Sequence, residues 1–114
     1  MTDLENLKQM SLHDTPVNSL ALDFKRRQLV VCLVMYNEDS RSYDELRLDF
    51  QGIDNLNLTA LALNTNGFEE LEIYSHTVTE TDKGRTIEFQ LLTGRGQRGA
   101  TWSFAFQGVS LATS

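Results

Sequence analysis

The sequence predicts a mainly β fold: antiparallel meanders forming a sandwich or a strongly bent sheet, with one short N-terminal helix. Three observations carry that prediction. Apolar residues recur at every second position through most of the chain, as in Leu46, Leu48 and Phe50 or Trp102, Phe104 and Phe106, which is the period of a strand with one buried face. Short polar or glycine-containing stretches separate these runs, among them Lys25-Arg-Arg-Gln28 and Asp82-Lys-Gly84, and suit tight hairpin connections. Helical spacing occurs once, at Leu4, Leu7 and Met10 or Leu12, ahead of Pro16.

Each element follows in order. Asp3 is placed to cap the helix, and Pro16 forces the backbone before it into an extended form. From Val17 the period is two, with Leu20, Leu22 and Phe24 alternating with Ser19, Ala21 and Asp23. Leu29 to Tyr36 is apolar on both faces and reads as a central strand covered on both sides. Asn37 to Asp44 is polar apart from Tyr43 and reads as a solvated loop. Leu46 to Gln51 is a half-wet strand ended by Gly52. Asn55 to Leu63 alternates with a slip between Leu58 and Leu61, which suits a bulge. Three further strands are expected at Leu71–Val78, Thr86–Leu92 and Thr101–Phe106, with the loop Gly94-Arg-Gly-Gln-Arg-Gly99 between the last two.

One internal echo bears on the architecture. Leu48-Asp-Phe-Gln-Gly-Ile53 and Phe104-Ala-Phe-Gln-Gly-Val109 each close a strand with Phe-Gln-Gly and a β-branched residue. The echo suits two similar three-stranded units, although glycine ends many unrelated strands.

Composition narrows the function. The chain has 114 residues, 40% of them hydrophobic and 23% charged, so residues 1–114 read as one domain able to bury a core. Its net charge of −6 opposes general binding to nucleic-acid phosphates. The longest apolar run, Leu29 to Tyr36, is far shorter than the ~20 residues of a membrane-crossing helix. Cys32 is the only cysteine, which excludes an intramolecular disulfide and a thiolate-rich metal site. Asp3 and Glu5 stand where a signal peptide would be basic. A cytoplasmic protein with no cofactor is the expectation.

Candidate chemistry is sparse. His13-Asp14 invites comparison with metal-dependent hydrolases, but the only other histidine is His76, and no His-x-His or Glu-x-x-His spacing occurs. A turn-stabilising role suits the pair better, because a site needs a constellation. Cys32 lies between Val31 and Leu33 without a cationic neighbour, as a core thiol does. Trp102, Phe104 and Phe106 have the outline of a base-stacking platform, but they alternate with Thr101, Ser103 and Ala105 as a core face would. Arg95 and Arg98 could clamp an anion, yet no helix start follows them as a phosphate loop requires. Glu38, Asp39, Asp44 and Glu45 lack the ligand spacing of a calcium loop and suit steering of a basic partner.

Leu12-His-Asp14, Leu46-x-Leu-x-Phe-x-Gly52-Ile-x-x-Leu56, Leu71-x-Ile73 and Trp102-x-Phe-x-Phe106 together give a pattern that resembles a group of small β-rich bacterial proteins. Most are of unknown function, and some are catalogued as immunity proteins of polymorphic toxin systems. The resemblance covers nearly the whole chain through core and turn positions. It implies a cytoplasmic protein that binds and blocks a toxin, and it brings no active-site residues. The expected partner is a protein, in the finer form a basic toxin, with Glu38, Asp39, Asp44, Glu45, Arg95 and Arg98 as candidate contact residues. The alternatives are a structural subunit of a homo-oligomer and a metal-dependent hydrolase using His13, Asp14 and His76.

Overall fold

The computed structural model describes residues 2–59, 71–93 and 97–113, the last span without the side chains of residues 97 and 98. One helix, α1 (Asp3–Gln9), precedes eight strands: β1 (Thr15–Asp23), β2 (Gln28–Asn37), β3 (Ser42–Gln51), β4 (Asp54–Thr59), β5 (Glu72–Thr81), β6 (Gly84–Thr93), β7 (Gln97–Phe106) and β8 (Gly108–Thr113). The strands form one antiparallel sheet in the order β4-β7-β6-β5-β1-β2-β3-β8. The sheet folds at β1, where Thr15 and Pro16 pair with β5 and residues from Val17 onward pair with β2.

The alternation in the sequence explains the packing. On the central strands one alternating apolar set, including Leu33, Leu48, Phe89 and Trp102, turns inward and is buried. Phe50 of β3 meets Phe89, Phe104 and Phe106 of the facing strands, with ring centroids 6.3, 4.9 and 5.2 Å away, all edge-on. Such T-shaped contacts add to the burial of the rings themselves. The expected bent sheet is thus found as one open sheet folded over its own inner face, with β4 and β8 as its edges.

β8 completes the topology, and it was not among the strands expected from the sequence. Two meanders, β1-β2-β3 and β5-β6-β7, each hand their fourth strand to the other. β3 turns at Gly52 into β4, which pairs with β7, while β7 turns at Gln107 into β8, which pairs with β3. The Phe-Gln-Gly echo marks these two corners. They touch, with Gln107 N–H donating to Gln51 C=O at 2.9 Å. An offset of 56 residues carries Leu29↔Phe50 onto Arg85↔Phe106 and holds as far as Met35↔Asp44 and Leu91↔Ala100. The same offset carries Asp49↔Ser110 onto Ala105↔Asp54. The duplication suggested by four matched positions is thus a pseudo-twofold arrangement of the backbone.

Several local expectations are corrected. Thr2, not Asp3, caps α1: its hydroxyl accepts from Glu5 N–H at 3.2 Å, the first contact of a Thr-x-x-Glu capping box. Asp3 instead accepts the Leu111 N–H of edge strand β8 at 3.0 Å. The loop after β2 is shorter than expected, because Ser42, Tyr43 and Asp44 belong to β3. The outer face of β2 has no second layer over it among the described residues, so that strand is covered on one side only. β4 ends at Thr59 with its irregularity between Asp54 and Asn57, and the slip expected between Leu58 and Leu61 runs beyond Thr59, outside the described residues. Among those residues, no helix is long and apolar enough to cross a membrane.

Candidate functional site

The most developed surface feature is the β2–β3 hairpin. Its turn, Glu38 to Arg41, is held by the Asn37 side chain, whose oxygen accepts from the N–H groups of Asp39 (3.0 Å) and Ser40 (3.4 Å). This is an Asx turn, in which a short amide replaces a missing backbone partner. The Asn37 amide also donates to Asp44 at 2.9 Å. Ser40 and Ser42 share a 2.6 Å hydroxyl contact, and Arg41 takes the left-handed backbone (φ 53°) that closes the turn.

On this braced tip Tyr36 and Tyr43 face each other across the strands. They are 54% and 72% exposed, and their rings lie 5.2 Å apart at 64°. Two aromatic rings held at the surface present area at small entropic cost, since each has only two side-chain torsions to fix. Sequence reasoning missed them because Tyr36 ends an apolar run and Tyr43 sits in a polar one. Their positions on either side of a polar turn were the available signal.

The four acids divide between the faces. Glu38 and Asp39 stand exposed in the turn, whereas Asp44 shares the inner side of the hairpin with Asn37. Glu45 lies on the outer side beside Tyr43 and accepts from Asn18 at 3.2 Å. Arg95 lies outside the described residues, and Arg98 is placed only through its backbone, opposite Leu92. Arg27 is occupied at the β3–β4 corner, donating to Ile53 C=O at 2.9 Å and lying 3.4 Å from Asp54.

His13, Asp14 and His76 serve the fold separately. His13 Nδ1 donates to Tyr74 C=O at 2.7 Å, with Asp14 3.4 Å from its other nitrogen. Asp14 has a left-handed backbone (φ 62°), and its N–H donates to Ile73 C=O. The carboxylate therefore faces His13, while the backbone supplies the turn. His76 Nε2 donates to Leu7 C=O at 2.7 Å and stacks on Phe89, holding α1 to β5. No group of three or more metal-ligating side chains occurs among the described residues, so the three do not make the site that a metal-dependent hydrolase would need.

Cys32 is buried but on the outer side of β2, opposite Arg47. Trp102, Phe104 and Phe106 are in the core, as their spacing predicts. Two shallow depressions lie among the described residues. One, of ≈ 480 Å³, lies between α1 and β8 around Asn6, Met10 and Leu111. The other, of ≈ 420 Å³, is lined by threonines, asparagines and Ser103 on the outer face of β5-β6-β7. Neither gathers a nucleophile with a base. Comparison with family models, curated proteins and solved structures gave no match to this chain.

Proposed function

We propose that this chain is a protein-binding domain whose β2–β3 hairpin receives a basic partner. The observation that carries the reading is the exposed Tyr36–Tyr43 pair on a braced turn, with Glu38, Asp39 and Glu45 around it. Tyrosines of this kind anchor interfaces by excluding water from a few central contacts. The acids, within a net charge of −6, raise the encounter rate with a cation-bearing surface, and a guanidinium or ammonium can also sit over a tyrosine ring. In its finer form the partner is a basic toxin that the domain binds and blocks, in the cytoplasm.

The test separates steering from anchoring. With a basic toxin encoded beside this gene as the binding partner, Glu38→Lys with Asp39→Lys slows association and flattens its salt dependence. Tyr36→Ala or Tyr43→Ala mainly speeds dissociation. Association insensitive to salt and to the charge reversals, with dissociation unchanged in the tyrosine variants, would remove the reading.

One observation favours a second reading, a subunit of a homo-oligomer. β4 is an edge strand with Leu58 38% exposed, and such edges pair readily with another copy. Light scattering of the purified chain decides it. A stable oligomer that Leu58→Lys dissociates supports this reading, and a monomer at all concentrations overturns it.

A further inference from the structure

Resting on the protein-binding reading, we infer that the outer face of β1-β2-β3 is the seat for an amphipathic helix of the partner, lying along β2 with its cationic end over the Tyr36–Tyr43 pair.

The face has the right relief. Val30, Cys32, Val34 and Tyr36 point outward from β2, because the intervening Leu29, Val31 and Leu33 are fully buried inside. On the β1 side their neighbours are small, with Ala21 opposite Val30 and Ser19 opposite Cys32. On the β3 side they are tall, with Asp49, Arg47, Glu45 and Tyr43 in sequence along the strand. The result is an apolar trough with one low bank and one high bank, crossed near Val34 by the 3.2 Å hydrogen bond from Asn18 to Glu45, an exposed contact that a seated helix displaces. Phe24, 83% exposed, stands in the turn at its far end.

The fold does not require this apolar surface. The 56-residue offset places Thr86, Glu88 and Gln90 of β6 where Val30, Cys32 and Val34 stand on β2, and Ala105, Ser103 and Thr101 where Asp49, Arg47 and Glu45 stand on β3. The same backbone is thus built with a polar outer face in the other half.

The occupant follows from backbone chemistry. An extended segment laid on this face would bury N–H and C=O groups with no partners, whereas a helix arrives with its own already paired. Val30 to Tyr36 spans six strand residues, ~20 Å at ~3.3 Å each, the length of a helix of about 13 residues at 1.5 Å each. Charge sets the direction. The tip end carries Glu38, Asp39 and Glu45 against Arg41, while the other end carries Lys25 and Arg26 against Asp23, so the tip is the more acidic end and the partner's lysines or arginines belong there.

The probes are two synthetic peptides of roughly 14 residues with the same leucine, alanine and lysine content. One places leucines on a single helical face with lysines toward one end, and the other has no apolar face. Binding to the isotope-labelled full-length chain is followed by amide chemical shifts. The expected result is affinity about tenfold higher for the first peptide, with shifts at Ser19, Ala21, Val30 and Val34. The variant Val30→Thr/Val34→Gln, which copies the other half, removes that preference while the dispersion of the spectrum stays folded. Equal affinity for both peptides, with shifts confined to Glu38–Tyr43, overturns the seat and leaves the hairpin reading standing. No binding of either peptide also overturns the seat, and the hairpin reading then rests on its own association rates.

Discussion

Residues 15–59 and residues 72–113 share a backbone plan and differ in what they show to solvent. Inward, most matched positions are apolar in both, as at Val31 and Ile87, Leu33 and Phe89, Leu48 and Phe104, Phe50 and Phe106, with Leu29 and Arg85 an exception at one end. Outward, the first half presents valines, a cysteine and tyrosines beside charged neighbours, and the second presents threonine, serine, glutamine, an alanine and one glutamate. Packing constrains only the first set. The outward contrast therefore reports on something other than the core, and it falls on the half that carries the braced hairpin.

The comparison can be broken first at its centre. Phe50→Ala should cost about 3–5 kcal/mol, the range for removing a fully buried phenyl ring, because Phe50 joins three rings of the other half. Phe106→Ala should cost less, since Phe106 is 4% exposed and its ring contacts are Phe50 and Phe104. Denaturant midpoints for the pair measure how evenly the halves share the junction.

The two corners give the next effect. Gly52 has φ +65°, and a Cβ there would stand 2.6 Å from the Gln107 side chain. Gly52→Ala should therefore cost about 1–3 kcal/mol from backbone strain alone. At Gly108 the nearest atom to an added Cβ is the Gln51 Oε1, 3.2 Å away at the end of a flexible side chain, so Gly108→Ala should be much milder. Equal losses of thermal stability would show that the corners are more alike than their geometry.

The outward contrast is sharpened by Val30→Thr/Val34→Gln. Because both positions are half-buried and the other half tolerates polar residues there, stability should change by no more than about 1 kcal/mol. A much larger loss in calorimetry would mean that the fold needs the stripe after all.

Smaller effects lie in the N-terminal segment. With φ 62° at Asp14, Asp14→Gly should match or slightly exceed the parent in melting temperature, while Asp14→Val should fall below it. The hydrogen bond from Lys8 holds the Glu80 carboxyl below its ordinary value of 4.5. A folded-state value below the unfolded one contributes stability above the ordinary value and loses it as pH falls through the folded value. Lys8→Met should thus melt slightly lower than the parent at neutral pH. The two curves should converge well below pH 4.5 and also in high salt.

The inner face was legible in the sequence because burial imposes a period of two, and Leu46, Leu48 and Phe50 have no other reading. The strand exchange was not. Val109 and Leu111 alternate over too short a stretch to announce β8, and edge pairing depends on where the chain travels after a corner. The acids were found as neighbours along the chain, but strand direction sends Asp44 to one side and Glu45 to the other. Thr2 and Glu5 carried a readable capping signal that was assigned to Asp3.

The reciprocal exchange also fixes an order of events during synthesis. β3 finds its second neighbour only in residues 108–113, so the first half leaves the ribosome with a bare strand edge that persists until nearly all of this sequence has been translated. Unpaired edges are where nascent chains aggregate or recruit chaperones, and contacts this distant in sequence form slowly. Loss of residues 108–113 would therefore be felt some sixty residues earlier in the sequence, where it would leave the edge of β3 bare.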